Sequence, residues 1–115
     1  MNLPPNTALG VWLTCTTAVE VPPTFHARFG ATARRYDYWL LNDPVRSPLL
    51  ANRTGWLPRP LQLQPMREAA ALLVGRHDFS AFRSAECQAA SPVRELRELA
   101  IERFGSLLRF RLVAN

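Results

Sequence analysis

The chain has 115 residues, of which 48% are hydrophobic and 20% are charged, a composition typical of a single soluble globular domain. No run of apolar residues approaches the roughly 18 that a membrane-spanning helix requires, and the first residues lack the basic and apolar pattern of a secretory signal. Length and composition therefore argue against a membrane-embedded or secreted protein, and we expect a cytoplasmic one.

The charge of the chain is basic, with 14 basic residues against 9 acidic ones and a net charge of +5. All 14 basic residues are arginine and none is lysine, which genomic base composition could also produce. The arginine side chain has a planar fork that suits phosphates and base edges, and its face stacks on rings. The charge favours a polyanionic partner, and nucleic acid is the polyanion that this chemistry suits best.

The cysteines and histidines show no spacing typical of a metal or redox site. Cys15 and Cys87 stand far apart, and His26 and His77 are equally isolated. We expect reduced thiols and no bound metal.

The first two predicted elements are extended. A strand-like run covers Ala8–Leu13 and is broken by Pro22 and Pro23. A second extended pattern covers Phe25–Leu41.

Alternation within the second extended segment divides its side chains between two faces. Tyr36 and Tyr38 share one face, whereas Asp37 and Trp39 share the other. Because both faces carry large apolar groups near Leu41, this pattern indicates a central strand with neighbours on both sides.

The middle of the chain combines a loop with the clearest helix. Arg46–Pro60, rich in proline, predicts a long ordered loop. Pro65 suits the first turn of a helix and Gly75 its end. Helical spacing places the following residues on one apolar face: Met66, Ala69, Ala70, Leu72 and Leu73.

The rest of the chain predicts a turn-rich segment and a hairpin. Gly75–Arg83 reads as a loop held down by Phe79 and Phe82. Glu95–Phe104 fits helical spacing and alternation alike, but the Gly-Ser pair at 105–106 and the alternation after it favour two strands. We therefore predict an α+β fold with a mixed, mostly antiparallel sheet and a flanking helix.

The segment "FHARFGATARRYDYWLLND" resembles the tRNA pseudouridine synthase A family, in which the pattern F-H-A-R-x-x-A-x-x-R-x-Y-x-Y is characteristic. "NTALGVWLT", "GRHDFSAFRSAECQAASPVREL" and "LLRFRLVAN" resemble the same family in the same order, so the likeness covers essentially the whole chain. The resemblance implies the pseudouridine synthase fold, with residues 1–115 forming part of the catalytic domain.

The resemblance also implies a reaction, the isomerisation of uridine to pseudouridine in the anticodon stem-loop of tRNA. The uracil is detached from its sugar and reattached through carbon. No cofactor is implied, because the rearrangement needs neither redox chemistry nor an activated phosphate donor. The implied partners are tRNA and, in the full-length family, a second identical subunit, with no membrane.

Tyr36 corresponds to the tyrosine that packs against the target base in the family. An enzyme that acts on a base must hold it out of the stack, and a flat ring supplies a surface on which any base can stack. The alternative for Tyr36 is an ordinary core or edge-strand aromatic, and for Tyr38 we expect packing.

Arginines near this tyrosine are candidates for contact with RNA phosphates. Arg28, Arg34 and Arg35 belong to the same segment, and solvated surface charge is the alternative for each. His26 fits an RNA contact or a local hydrogen bond equally well, and Arg83 likewise fits RNA or surface.

The family's aspartate nucleophile lies in a segment of the form G-R-T-D-x-G-V-H, and these 115 residues contain no such segment. The only aspartates are Asp37, Asp43 and Asp78, and none follows Arg-Thr. We assign no catalytic residue here and expect an internal fragment of the enzyme, without the nucleophile segment or the C-terminal part and inactive alone.

Two alternatives stay open. The first is a non-catalytic RNA-binding α+β module, which the charge supports, although the sequence shows neither an RRM pattern nor a KH-type G-x-x-G loop. The second is a decayed or mis-started gene whose product, with exposed sheet edges, does not fold stably alone.

Overall fold

A computed structural model describes residues 15–86 and 89–115. The strand predicted over Ala8–Leu13, and Cys87, lie outside the described residues. The chain divides into two compact units, one reaching to Gly30 and the other running from Ala31 to Asn115. The described part of the first unit, 15–30, consists of turns and irregular backbone.

The second unit is a five-stranded sheet with one helix, which confirms the predicted α+β class. The elements in chain order are β1 Arg34–Asn42, β2 Gly55–Leu57, α1 Leu63–Leu73, β3 Gly75–Asp78, a 3-10 helix Ser80–Phe82, β4 Val93–Phe104 and β5 Leu107–Ala114. The strand order is β2-β1-β5-β4-β3. The β1–β2 pair is parallel and the other three pairs are antiparallel, as a mixed, mostly antiparallel sheet requires.

The predicted hairpin is confirmed in β4 and β5. The turn between them places Gly105 at a φ of 61°, a left-handed conformation that glycine adopts without steric cost. The two strands pair from Phe104 and Leu107 at the turn to Leu96 and Ala114 at the far end.

The predicted helix is also confirmed, with Pro65 in its first turn. Its predicted apolar face is correct only in part, because Ala70 is buried whereas Leu72 is 79% exposed. It stops at Leu73, and Gly75 follows with a φ of 119°, a value that glycine adopts far more readily than other residues. The helix packs on β4 through the buried Ala70, and Arg67 Nε donates a hydrogen bond to the Ile101 carbonyl at 3.0 Å. Among the described residues, no helix is long and apolar enough to cross a membrane.

The extended segment predicted from Phe25 is shorter in the structure. Residues 27–30 form a turn, with Gly30 N donating to the His26 carbonyl at 2.7 Å, and β1 begins only at Arg34. The prediction of a central strand is correct only for Leu40–Asn42, where β1 lies between β2 and β5.

Two further predictions are wrong in part. The loop predicted over Arg46–Pro60 contains β2, and the turn-rich segment from Gly75 begins with β3 before the 3-10 helix. Strands of three and four residues are too short to show periodicity, and they form because longer strands offer them hydrogen-bond partners.

The core of the described residues is small. Five hydrophobic residues are buried, and Leu108 is fully so: Leu41, Ala70, Leu96, Ile101 and Leu108.

The sheet has two different faces. We call the face that bears α1 the helix face; Leu73 of the helix lines an apolar hollow there together with Leu96, Leu99 and Leu112. We call the other one the charged face, and its residues include Asp37, Trp39, Arg109 and Arg111.

Candidate nucleic-acid interface

Tyr36 is the third residue of β1 and its side chain is exposed to 61%. Its partner across the sheet is Leu112, whose own partner on β4 is Leu99. Because paired residues point to the same side of a sheet, Tyr36 lies on the helix face. Its ring therefore presents an accessible flat surface at the open end of that face.

Tyr38 lies on the same face but contacts more of the protein. Its ring is tilted against Phe110 at a centroid distance of 6.2 Å. Its hydroxyl lies over Gly55 and leaves no room for a Cβ at that position. Tyr38 is 55% exposed but contacts residues of β5 and β2, whereas Tyr36 has no such ring contact within the described residues.

The side chains of the two adjacent arginines at the start of β1 lie on opposite faces of the sheet. Arg34 pairs with Ala114 and shares the face of Tyr36, whereas Arg35 pairs with Val113 and lies on the charged face. Both side chains are exposed, and within the described residues neither forms a hydrogen bond or an ion pair. Of these two arginines, Arg34 therefore lies on the same face as Tyr36, and its guanidinium has no partner among the described residues.

An ion pair that the sequence did not predict joins β1 to β5 on the charged face, opposite to the face of Tyr36. Arg111 Nε donates a hydrogen bond to Asp37 Oδ1 at 2.8 Å, and Arg111 Nη2 donates one to Asp37 Oδ2 at 3.2 Å. The Arg111 guanidinium holds the pKa of the Asp37 carboxyl below its usual value. The opposite charges were visible in the sequence, but only the adjacency of β1 and β5 shows that they meet.

A second cation on the charged face is enclosed by aromatic rings. The Arg109 guanidinium lies 5.7 Å from the ring centre of Trp39 and 5.1 Å from that of Phe104, and it contacts the Glu102 carboxylate. The two ring contacts and the ion pair hold the Arg109 side chain against the sheet. Arg109 is thus part of the packing of this face.

His26 and Arg28 belong to the first unit. His26 Nδ1 accepts a hydrogen bond from Phe29 N at 3.0 Å, and the two rings lie 4.4 Å apart. Arg28 lies over the ring of Phe29 at 5.6 Å. His26 therefore makes the local hydrogen bond that its position allowed, and RNA contact by either residue stays a prediction.

The prediction that two phenylalanines hold down the segment after β3 is wrong in part, because Phe79 is half-buried whereas Phe82 is 76% exposed. Phe79 and Phe82 lie 6.2 Å apart, and both line the apolar hollow of the helix face. The Arg83 guanidinium donates to the Ala89 carbonyl. Within residues 15–86 and 89–115, no group of three His, Cys, Asp or Glu side chains is arranged to hold a metal ion.

Comparison with known proteins finds one family that these residues resemble. Residues 69–115 match the family described as tRNA pseudouridine synthase. Over 113 residues the chain is 54% identical to the tRNA pseudouridine synthase A of Burkholderia mallei (strain SAVP1), a match that covers 98% of this chain and 40% of the relative. The protein of the same name from Methylobacillus flagellatus is 52% identical over 98 residues, covering 85% of this chain and 38% of the relative.

The matched region is only part of each relative, since the chain spans about two fifths of the length of these curated proteins. The resemblance seen in the arginine- and tyrosine-rich segment is thereby confirmed, because the identity runs through nearly all of the chain. The chain is similar, over nearly its whole length, to one part of the tRNA pseudouridine synthase A proteins.

Proposed function

We propose that this chain is part of an enzyme that isomerises uridine to pseudouridine in the anticodon stem-loop of tRNA. The observation that carries the proposal is the 54% identity over 98% of the chain to a tRNA pseudouridine synthase A. We further propose a cytoplasmic homodimer as the full-length enzyme, as the resemblance implies.

Tyr36 is proposed to stack on the extruded uracil. The exposed ring at the open end of the helix face supports this role, because stacking on an aromatic ring stabilises an unpaired base whatever its identity. The ion pair between Asp37 and Arg111 holds the adjacent backbone on β5. The ring is thus presented from a strand whose position is fixed by its neighbour.

The arginines of the same segment are proposed to contact RNA phosphates. Arg34, on the face of Tyr36, and Arg35, on the opposite face, are exposed and have no hydrogen bond or ion pair within the described residues. Charged guanidinium groups with no internal partner suit phosphate oxygens. Arg28 and His26 are weaker candidates, because both make local contacts.

The reacting carboxylate is proposed to come from outside these residues. None of Asp37, Asp43 and Asp78 lies in a G-R-T-D-x-G-V-H segment, and Asp37 is already paired with Arg111. A nucleophile must be held within hydrogen-bonding range of its reacting centre. We therefore expect the chain alone to release no tritium from uridine-labelled tRNA, and turnover by the chain alone would overturn this placement of the nucleophile.

A chimaeric enzyme tests the proposed function. The 113 matched residues of the Burkholderia mallei protein are replaced by those of this chain, and pseudouridine formation is followed by tritium release from labelled tRNA. We expect turnover above a control in which the nucleophilic aspartate of the host protein is changed to alanine. A folded chimaera that binds tRNA but forms no pseudouridine would contradict the proposal.

The second candidate function is a non-catalytic RNA-binding module. It is favoured by the basic charge of the chain, by the exposed ring of Tyr36 and by the arginines that have no partner within the described residues. Binding of tRNA that weakens steeply with salt, together with an inactive chimaera, would favour this module over the enzyme.

A further inference from the structure

Phe82 is the most exposed aromatic residue among the described residues of the second unit. It belongs to the 3-10 helix after β3 and is 76% exposed, compared with 61% for Tyr36. Its ring lies 6.2 Å from that of Phe79, which is half-buried. The roles proposed above for Tyr36 and the arginines leave this exposed ring without a partner of its own.

The Phe82 side chain lines the apolar hollow of the helix face, whose volume is about 310 Å³. Leucines form most of the remaining lining: Leu73, Leu96, Leu99 and Leu112. Binding sites for small molecules are mostly apolar and measure roughly 300 to 1,000 Å³. The hollow is at the lower end of that range, and its lining suits a small, flat, apolar group.

The hollow reaches the residue that pairs with Tyr36. Leu112 lies opposite Tyr36 on β5, Leu99 lies opposite Leu112 on β4, and both leucines line the hollow. Two strand spacings separate Tyr36 from Leu99, on the order of 10 Å. A ligand that covers the Tyr36 ring can therefore place a neighbouring group in the hollow.

The charges of the strands are distributed unevenly between the two faces. Pairing and alternation put the acidic residues of the described strands on the charged face: Asp37, Asp78, Glu95, Glu98 and Glu102. They put Arg34, Arg94 and Arg103 on the helix face, and Arg94 lines the hollow itself. Glu68 of α1 is not among the residues that line the hollow. The strand residues around the hollow thus complement a polyanion.

Exposed rings and arginines on one face are typical of proteins that bind single-stranded nucleic acid, where bases stack on the rings and cations meet the backbone. A base contacts an apolar ring through its flat face. The polar groups of its edge can stay in water, so the base leaves no polar group unpaired inside the hollow. A nucleobase therefore suits the apolar lining, the exposed ring and the charge together.

We propose that Phe82 stacks on a nucleobase of the substrate RNA in this hollow, a second base besides the uracil proposed for Tyr36. The proposal rests on the proposed function for the identity of the ligand as tRNA. Because every base has a flat face that can stack, this contact holds the RNA strand in place without reading its sequence.

The test uses the full-length chimaera and compares tRNA binding by three variants of Phe82. Loss of a stacked ring weakens binding by about 5- to 150-fold, so we expect a decrease of this size for Phe82→Ala. Phe82→Leu keeps an apolar side chain but loses the ring, and it should weaken binding nearly as much. Phe82→Tyr keeps the ring and should bind as the parent does. Leu49→Ala, at an apolar position that is 87% exposed in the loop before β2, is the control and should leave binding unchanged.

Stability and salt dependence separate stacking from other roles of the ring. We expect the melting temperature to be unchanged, and we expect the slope of log affinity against log salt to be the same in every variant, because no charge is removed. If another part of the enzyme covers the hollow instead, Phe82→Leu should bind tRNA as the parent does and Phe82→Tyr should lower the melting temperature. Either result would overturn the base contact.

Turnover separates failure of this site from failure of the proposed function. An active chimaera in which Phe82→Ala binds tRNA as tightly as Leu49→Ala would overturn the base contact alone. An inactive chimaera in which Phe82→Ala weakens tRNA binding and Phe82→Tyr does not would uphold the contact with RNA and overturn the enzyme.

Discussion

The two halves of β1 differ in what surrounds them. At Leu40–Asn42 the strand lies between β2 and β5, and Leu41 is buried. From Arg34 to Asp37 it pairs with β5 alone among the described strands, and its side chains are exposed. One strand thus serves as an anchor at one end and as a platform for a ligand at the other.

The anchoring half is held by Asn42. Its Nδ2 donates to the Leu57 carbonyl at 3.0 Å and to the Arg59 carbonyl at 2.6 Å, and its Oδ1 accepts from Leu61 N at 3.3 Å. These bonds tie the strand to the connection that leads into α1. On the exposed half, the one side-chain bond of β1 to a neighbouring strand within the described residues is the pair of Asp37 with Arg111.

The largest effect on stability is expected from Leu108→Ala, opposite the anchoring half. Leu108 pairs with Leu40 and is fully buried, so truncation leaves a cavity and should lower the free energy of unfolding by about 2–5 kcal/mol. Denaturant unfolding measures this decrease. Leu72→Ala, at a helix position that is 79% exposed, is the control and should change the free energy of unfolding by no more than about 0.5 kcal/mol. If both variants lower the free energy of unfolding equally, Leu108 does not anchor the strand.

Asn42→Ala should have the next largest effect. It removes the partner of three backbone groups and should cost about 1–3 kcal/mol in the same experiment. Asn52→Ala, at an exposed position just before β2, should be close to neutral. If the two variants unfold at the same denaturant concentration, Asn42 is not an anchor.

Acid should weaken the exposed half through Asp37. Because Arg111 lowers the pKa of Asp37 below the ordinary 3.8 in the folded state, the pair stabilises the fold above that pH and loses its contribution as the pH falls through the lowered folded-state value. Asp37→Asn should therefore flatten the fall in stability below about pH 4. The pKa of Asp78 is also lowered, by hydrogen bonds from Ser80, so part of the fall should remain.

A double-mutant cycle checks the assignment of this acid effect. Arg111→Gln should flatten the fall as Asp37→Asn does, and the double variant should add little to either, because both single changes remove one interaction. Additive effects would show that the two side chains act independently.

Sequence patterns predicted the elements that carry their own periodicity. Alternation in β5 and the apolar stripe of α1 recur over enough residues to identify each element. The short β2 and β3 carry no such signal, because each forms by pairing with a longer strand that is distant in the chain.

In the candidate site, the face on which each residue lies was predictable, but its partner on a distant strand was not. Alternation alone put Tyr36 and Asp37 on opposite faces, as the structure has them. The partner of Asp37 was not predictable, since Arg111 is 74 residues away and meets it only because β1 and β5 are neighbours.

The smallest effect on stability is expected at Tyr36. Its side chain is largely exposed and lies on the half of β1 that has one partner strand among those described. Tyr36→Ala should change the free energy of unfolding by no more than about 0.5 kcal/mol, as measured by denaturant unfolding. A decrease as large as that of Asn42→Ala would assign the ring to the fold.

The activity of Tyr36→Ala in the chimaeric enzyme tests most directly whether Tyr36 stacks on the target base. Stacking on an aromatic ring is worth about 1–3 kcal/mol per base, so kcat/KM for pseudouridine formation should fall by about 5- to 150-fold with the melting temperature unchanged. Tyr38→Phe, which removes only the hydroxyl over Gly55, should leave kcat/KM close to that of the parent. Full activity of Tyr36→Ala, or a decrease in activity matched by a lower melting temperature, would contradict stacking of Tyr36 on the base.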